Sequence, residues 1–208
     1  DSFLRLGHTL RNAARYRDLA RFLVCVTVYQ AGVQTVVALA AIYAQEALKF
    51  STQDTIVMIL AVNVTAALGA LAFGQVQDRL GHARTLALTL LLWIATIGCA
   101  WLAEGRVLFW VAANLAGLAL GASQSAARAL VGYLSPDTRR AEFFGLWGFA
   151  VKFSGIIGPL SYGLVSWLSR GDHRLAILVT GAFFVAGLAI LRTVDVPRGR
   201  RAAVTDSA

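Results

Sequence analysis

The sequence predicts an all-α membrane protein of six transmembrane helices. Three observations carry that prediction: an apolar composition, six long runs almost free of charge, and basic residues gathered at alternate connections. Of the 208 residues, 58% are hydrophobic and 14% charged, whereas an ordinary soluble domain is about 45–50% apolar and about 25% charged. A spanning helix takes roughly 20 apolar residues to cross about 30 Å of hydrocarbon. Six spans with short connections therefore nearly exhaust the chain, and no length remains for a soluble catalytic domain.

Residues 1–21 come first. They are polar and arginine-rich, with none of the apolar core and small-residue cleavage site of a signal peptide. Opening on Asp1 rather than Met, they read as an internal stretch of a longer protein. Leucines at 6, 10 and 19 with arginines at 11, 15 and 17 fit a helix lying on the membrane surface; a solvated basic linker fits equally. The spans are then expected at residues 22–44, 54–76, 85–103, 107–133, 143–168 and 175–192, making residues 22–192 one bundle. Residues 193–208 form a basic tail expected to lack fixed structure. Cys25 and Cys99 fall inside apolar runs, where a thiol behaves as a small hydrophobe, so neither a disulfide nor a metal site is expected.

Charge sets the orientation. Arg5 to Arg21, Arg79, Arg84, Arg128, Arg139, Arg140, Arg192, Arg198, Arg200 and Arg201 share one side, while Lys49, Arg106, Arg170 and Arg174 share the other. Basic residues collect on the cytoplasmic face of membrane proteins, which puts both termini there and accounts for the net charge of +8. Nucleic acid is not needed to explain it.

Polar residues inside spans face a bundle interior or a water-filled cavity as a rule. On the first span Thr27, Gln30 and Gln34 share one face, flanked by Tyr29 and Thr35; on the fourth, Asn114, Gly121, Gln124, Ser125 and Arg128 do so. They serve either a binding site for a polar solute or hydrogen bonding between helices. Lys152 lies about 14 Å deep at the helical rise, either facing a cavity or snorkelling to its edge. Asn63 with Ala66, Ala67, Ala70 and Gly74 reads as a packing seam. Spans three and six, with Trp93 and Trp101 as interfacial anchors, read as peripheral helices facing lipid. No Ser/His/Asp or Cys/His set, phosphate loop or metal-ligand cluster is present, so neither an enzyme nor a cofactor is expected.

After the second span stand Gly74, Asp78, Arg79, Gly81 and Arg84, on the side assigned to the cytoplasm. This resembles the loop signature of the major facilitator superfamily, with His82 and Ala83 standing where that family usually has a basic pair. The stretches 29–35, 121–125, 139–145 and 158–160 are similar to the branch related to the autophagy-associated vacuolar amino-acid effluxers. The resemblance covers nearly the whole chain as helices seven to twelve, and implies the C-terminal half of a major-facilitator fold. It implies a secondary transporter for a small polar solute, with amino acids the inherited candidates, working with an N-terminal six-helix half in the lipid bilayer of a bacterial cell membrane. It also implies that the first and fourth spans line the central cavity, placing Tyr29, Gln30, Gln34, Thr35, Asn114, Gln124 and Lys152 as substrate-binding candidates. Asp78, Arg128 and Glu142, with Arg79 or Arg140, are expected to form a cytoplasmic gate. The alternative is a six-helix scaffold, or a transporter remnant acting as an assembly partner without transport.

Overall fold

The computed structural model describes residues 16–46, 48–103, 105–170 and 173–205. Six long helices run through it: α1 (Arg17–Glu46), α2 (Thr52–Leu80), α3 (His82–Leu102), α4 (Arg106–Leu134), α5 (Arg140–Leu168) and α6 (His173–Leu191). A 3-10 turn, Asp137–Arg139, precedes α5, and a short helix α7 (Val196–Thr205) ends the chain. No strand occurs among the described residues. Lipid offers backbone groups no partners, so a chain this apolar must satisfy them within helices. Five helices are each long and apolar enough to cross a membrane; Leu175–Leu191 meets that measure only together with α7, from which it is bent by 62°. The predicted surface segment at residues 1–15 lies outside the described residues, and Tyr16–Arg21 leads into and opens α1.

The helix ends follow from local chemistry. Ser51 and Asp54 form a reciprocal cap on α2, each side chain accepting the other's backbone N–H at 3.1 Å. One residue, Gly81, separates α2 from α3. Its φ of +81° is a conformation that favours glycine. Its N–H donates to the Gln77 carbonyl at 2.9 Å, and its own carbonyl accepts from Thr85 at 3.1 Å. The tail expected to lack structure instead contains α7, because Asp195 accepts the Arg198 backbone N–H at 2.9 Å as an N-cap, and because tertiary partners described below hold it.

The six helices pack as two groups of three. α1 lies against α5 and α6, and α4 lies against α2 and α3, so each first helix of a three-helix stretch is held by the second and third helices of the other. The groups meet chiefly along α3 and α6, where Trp93 stacks on Phe184 at 5.0 Å and donates its indole N–H to Ser123 Oγ at 3.3 Å. The expectation that α3 and α6 are lipid-facing, with Trp93 as an anchor, is corrected here: Trp93 is 1% exposed. α2 and α5 carry the open apolar stripes, Ile56, Leu60, Val64, Leu68 and Leu71 on one and Phe149, Phe153, Ile156, Leu160 and Leu164 on the other.

Small residues set the spacing, as they do where helices pack within lipid. A Cβ on Gly121 would fall on the Ala66 carbonyl, one on Gly69 on the Leu118 carbonyl, and one on Gly158 on the Ala31 carbonyl. The seam of α2 therefore runs through Ala66 and Gly69, whereas Ala67 is exposed and nothing lies within 4 Å of a Cβ on Gly74.

Candidate functional site

The polar positions of α1 separate into two sets. Tyr29 is fully buried toward α6, its Cβ 2.8 Å from where a Cβ on Gly187 would stand, and Thr35 packs beside Gly158 of α5 while its hydroxyl donates to the Ala31 carbonyl at 2.8 Å. Both side chains are buried within the bundle, and the Thr35 hydroxyl is spent on its own helix. Gln34 is half-buried, with its amide beside Gly155 of α5. Gln30 is 1% exposed, and neither its amide oxygen nor its amide nitrogen finds a partner among the described residues; the Tyr29 hydroxyl and the Trp147 indole N–H are equally without one there. A buried polar group left unpaired costs about 1–3 kcal/mol, so the middle of this bundle carries polar groups that its own packing does not use.

The remaining candidates lie apart from Gln30. Asn114 lines a groove between α2 and α4 with Thr65, Leu68 and Val111, and its amide donates to the Trp110 carbonyl at 2.9 Å. Gln124 is half-buried on α4, with no hydrogen bond to a described residue. Lys152 is exposed on the open stripe of α5, next to the stacked pair Phe149 and Phe153, and it too has no partner among the described residues. A separate cavity of about 80 Å³ lies between α1, α3, α4 and α6, with Tyr162 of α5 on its wall. It is almost wholly apolar, and the hydroxyls of Thr35, Thr96 and Thr180 on its wall are each taken by a carbonyl of their own helix.

At the arginine-rich end, Asp78, Arg79, Gly81 and Arg84 all lie exposed around the turn between α2 and α3. No ion pair joins Asp78, Arg128 and Glu142 among the described residues; Arg140 pairs with Asp137 instead, and the Arg128 guanidinium sits over the Trp147 ring at 5.5 Å. His82 hydrogen-bonds Gln77, and its ring lies 4.7 Å from that of Tyr133. Asp18, ahead of the apolar run of α1, is nearly buried and accepts from Arg198 at 2.7 and 2.6 Å. The hydrogen bonds from Arg198 hold its carboxyl below the ordinary value of 3.8, so it stays ionised throughout the neutral range. Sequence reading missed this pair. Its one signal was an acid set among the arginines of residues 5–21.

Two three-helix groups, a glycine-turned basic loop on one face and orphan amides within the bundle are together the architecture of a major-facilitator six-helix unit. Comparison with known proteins gives the branch. The family model described as vacuole effluxer Atg22 like matches residues 1–204, and the chain belongs to that family. An uncharacterized MFS-type transporter, YxiO of Bacillus subtilis, is 27% identical over 93% of this chain and 45% of its own length. Autophagy-related protein 22 of Vanderwaltozyma polyspora is 26% identical over 95% of this chain and 40% of its own. The protein of that name from Cryptococcus neoformans is 30% identical over 83% of this chain and 34% of its own. The chain thus spans less than half the length of these curated relatives.

Proposed function

We propose that this chain is the C-terminal half, helices seven to twelve, of a secondary transporter that moves a small polar solute across a membrane by alternating access, with amino acids the first candidates. The observation that carries the reading is Gln30. An amide both donates and accepts, and this one is buried in the membrane-spanning part of α1 with both functions unspent, as a site for a solute bearing an ammonium and a carboxylate requires. Gln34 lies one turn beyond it, Gln124 and Asn114 add amides on α4, and Lys152 supplies a positive charge on α5. Tyr29 and Thr35 hold α1 in position rather than touch the solute. The open stripes of α2 and α5 receive the N-terminal half, and the halves rock about the site between them. The loop carrying Gly74, Asp78, Arg79, Gly81 and Arg84, with Arg128 and Glu142, forms the cytoplasmic gate. Both ends of the chain face the cytoplasm of a bacterial cell. Membership of the vacuole effluxer family and likeness to an MFS-type transporter support transport as the activity.

The test is counterflow of labelled amino acids by the complete protein in proteoliposomes. Gln30→Leu removes two orphan polar atoms at nearly constant volume. It is expected to lower transport at least tenfold while leaving the thermal midpoint equal or higher, and Lys152→Ala to lower transport as well. A scaffold predicts no transport by the unaltered protein. Full transport in Gln30→Leu removes the amide from the site.

A further inference from the structure

The last helix is tied back under the bundle by a set of contacts that none of the membrane helices needs for its own formation. Arg198 on α7 makes a two-pronged, charge-assisted contact with Asp18, through Nε at 2.7 Å and Nη2 at 2.6 Å. The same carboxylate accepts the Asp195 backbone N–H at 3.1 Å, so Asp18 holds both the residue ahead of α7 and the helix's first turn. Arg21 adds a hydrogen bond to the Thr193 carbonyl at 3.0 Å. Gly199 then brings α7 against α4: a Cβ there would stand 2.7 Å from Leu134 Cδ2 and 3.2 Å from the Asp18 Cβ. Arg200 lies over the Tyr133 ring at 5.0 Å and donates to the Tyr133 carbonyl at 3.2 Å. Tyr133 is also the residue whose ring meets His82, the first residue of α3 beyond the Gly81 turn.

Two facts make this contact set more than a tidy end to the chain. α1 and α4 belong to different three-helix groups and meet over few residues, and at this end of the bundle α7 touches both. A helix of ten residues does not hold itself together in water, so α7 depends on its docking contacts, of which the Arg198–Asp18 pair is the charged one. We propose that α7 is a releasable brace: docked on Asp18, Leu134 and Tyr133, it fixes the distance between the cytoplasmic ends of α1 and α4 and links the tail to the loop between α2 and α3. Release of Arg198 frees the two helix ends to separate, and through Tyr133 and His82 a displacement of the loop loosens the docked tail.

The brace is testable without any transport assay, so its failure is separable from that of the function proposed above. In the complete protein, in inside-out vesicles, trypsin reaches Arg200 and Arg201 only when α7 undocks. Arg198→Ala and Asp18→Asn are expected to speed cleavage there at least tenfold, with Arg170→Gln, an exposed residue at the opposite end of the bundle, staying within twofold. Spin labels at Arg17→Cys and Thr138→Cys, in a background of Cys25→Ser and Cys99→Ser, report the spacing of the α1 and α4 ends. A narrow distance distribution is expected to broaden in Arg198→Ala. Should Asp18→Asn fail to fold, Arg198→Ala alone decides, because its side chain is half-exposed. Unchanged cleavage and unchanged distance in Arg198→Ala overturn the brace. Unchanged cleavage in Tyr133→Leu overturns its link to the loop.

Discussion

Glycines in this bundle are not equivalent, and their neighbours say which ones hold it together. Gly121 sits where α4 meets the α2 backbone, and a Cβ there would fall on the Ala66 carbonyl rather than on a side chain able to turn away. Gly121→Val therefore has to push two helices apart, at a cost of about 3 kcal/mol, and is expected to lower the thermal midpoint of the purified protein or its folded yield. Gly74 has nothing within 4 Å of a Cβ. Gly74→Ala is expected to leave the midpoint in place, so any loss of transport in that variant belongs to the gate and not to packing. Both glycines stand out in the sequence, as part of a polar run on one span and of a loop signature near another. Neither the sequence pattern nor the spacing separates them, because which residue faces a backbone is decided by the crossing of two helices.

At the scale of elements, the connection between α1 and α2 owes its shape to a residue far along the chain. Arg106, at the start of α4, donates to the carbonyls of Leu48 and Lys49, lies over the Phe50 ring at 5.1 Å and pairs with Asp54 at 3.7 Å. The ion pair is exposed and worth little by itself; the hydrogen bonds and the ring contact hold the loop, whose Lys49 sits at a φ of 54°. Arg106→Ala is expected to make trypsin cleavage after Lys49 severalfold faster while the helices stay intact, read by the size of the fragments. The number and extent of the long helices were legible in the sequence, since lipid demands unbroken apolar runs and each predicted span falls almost entirely within one helix. Their inward faces were not. On α3 the inward face is marked only by Thr85, Thr89 and Thr96, buried at helical spacing around Trp93, a weaker signal than the amides of α1. The helix at the end of the chain was illegible because its anchor, Asp18, stands 180 positions away. Of the candidate site, residue types on α1 were legible, but the division of labour between Gln30 and its neighbours Tyr29 and Thr35 required the positions of α5 and α6.

For the whole molecule the asymmetry of charge becomes a statement about sides. Arg79 and Arg84 at the α2–α3 turn, Arg139 and Arg140 at the α4–α5 turn, and Arg198, Arg200 and Arg201 on α7 gather at one end of the bundle, while Lys49, Arg106 and Arg170 lie at the other. α2 is 29 residues long, about 43 Å at the rise of an α-helix, enough to separate Thr52 at its start from Arg79 across the full hydrocarbon thickness. The positive-inside rule then assigns the arginine-rich end to the cytoplasm. Thr52 and Thr138 are both exposed and lie at opposite ends, which makes them reporters of that assignment once the two cysteines, one buried and one partly so, are replaced by serine. In intact cells a membrane-impermeant maleimide is expected to label Thr52→Cys in the complete protein, and to label Thr138→Cys only after the membrane is opened. The reverse pattern would invert the molecule, moving the gate and the α7 brace to the outer face. Labelling of both sites in intact cells would mean that the helices between them do not form a sealed bundle. Either one-sided pattern leaves Gln30 inside the bundle and between the two labelled ends, as an alternating-access site needs; labelling of both sites does not.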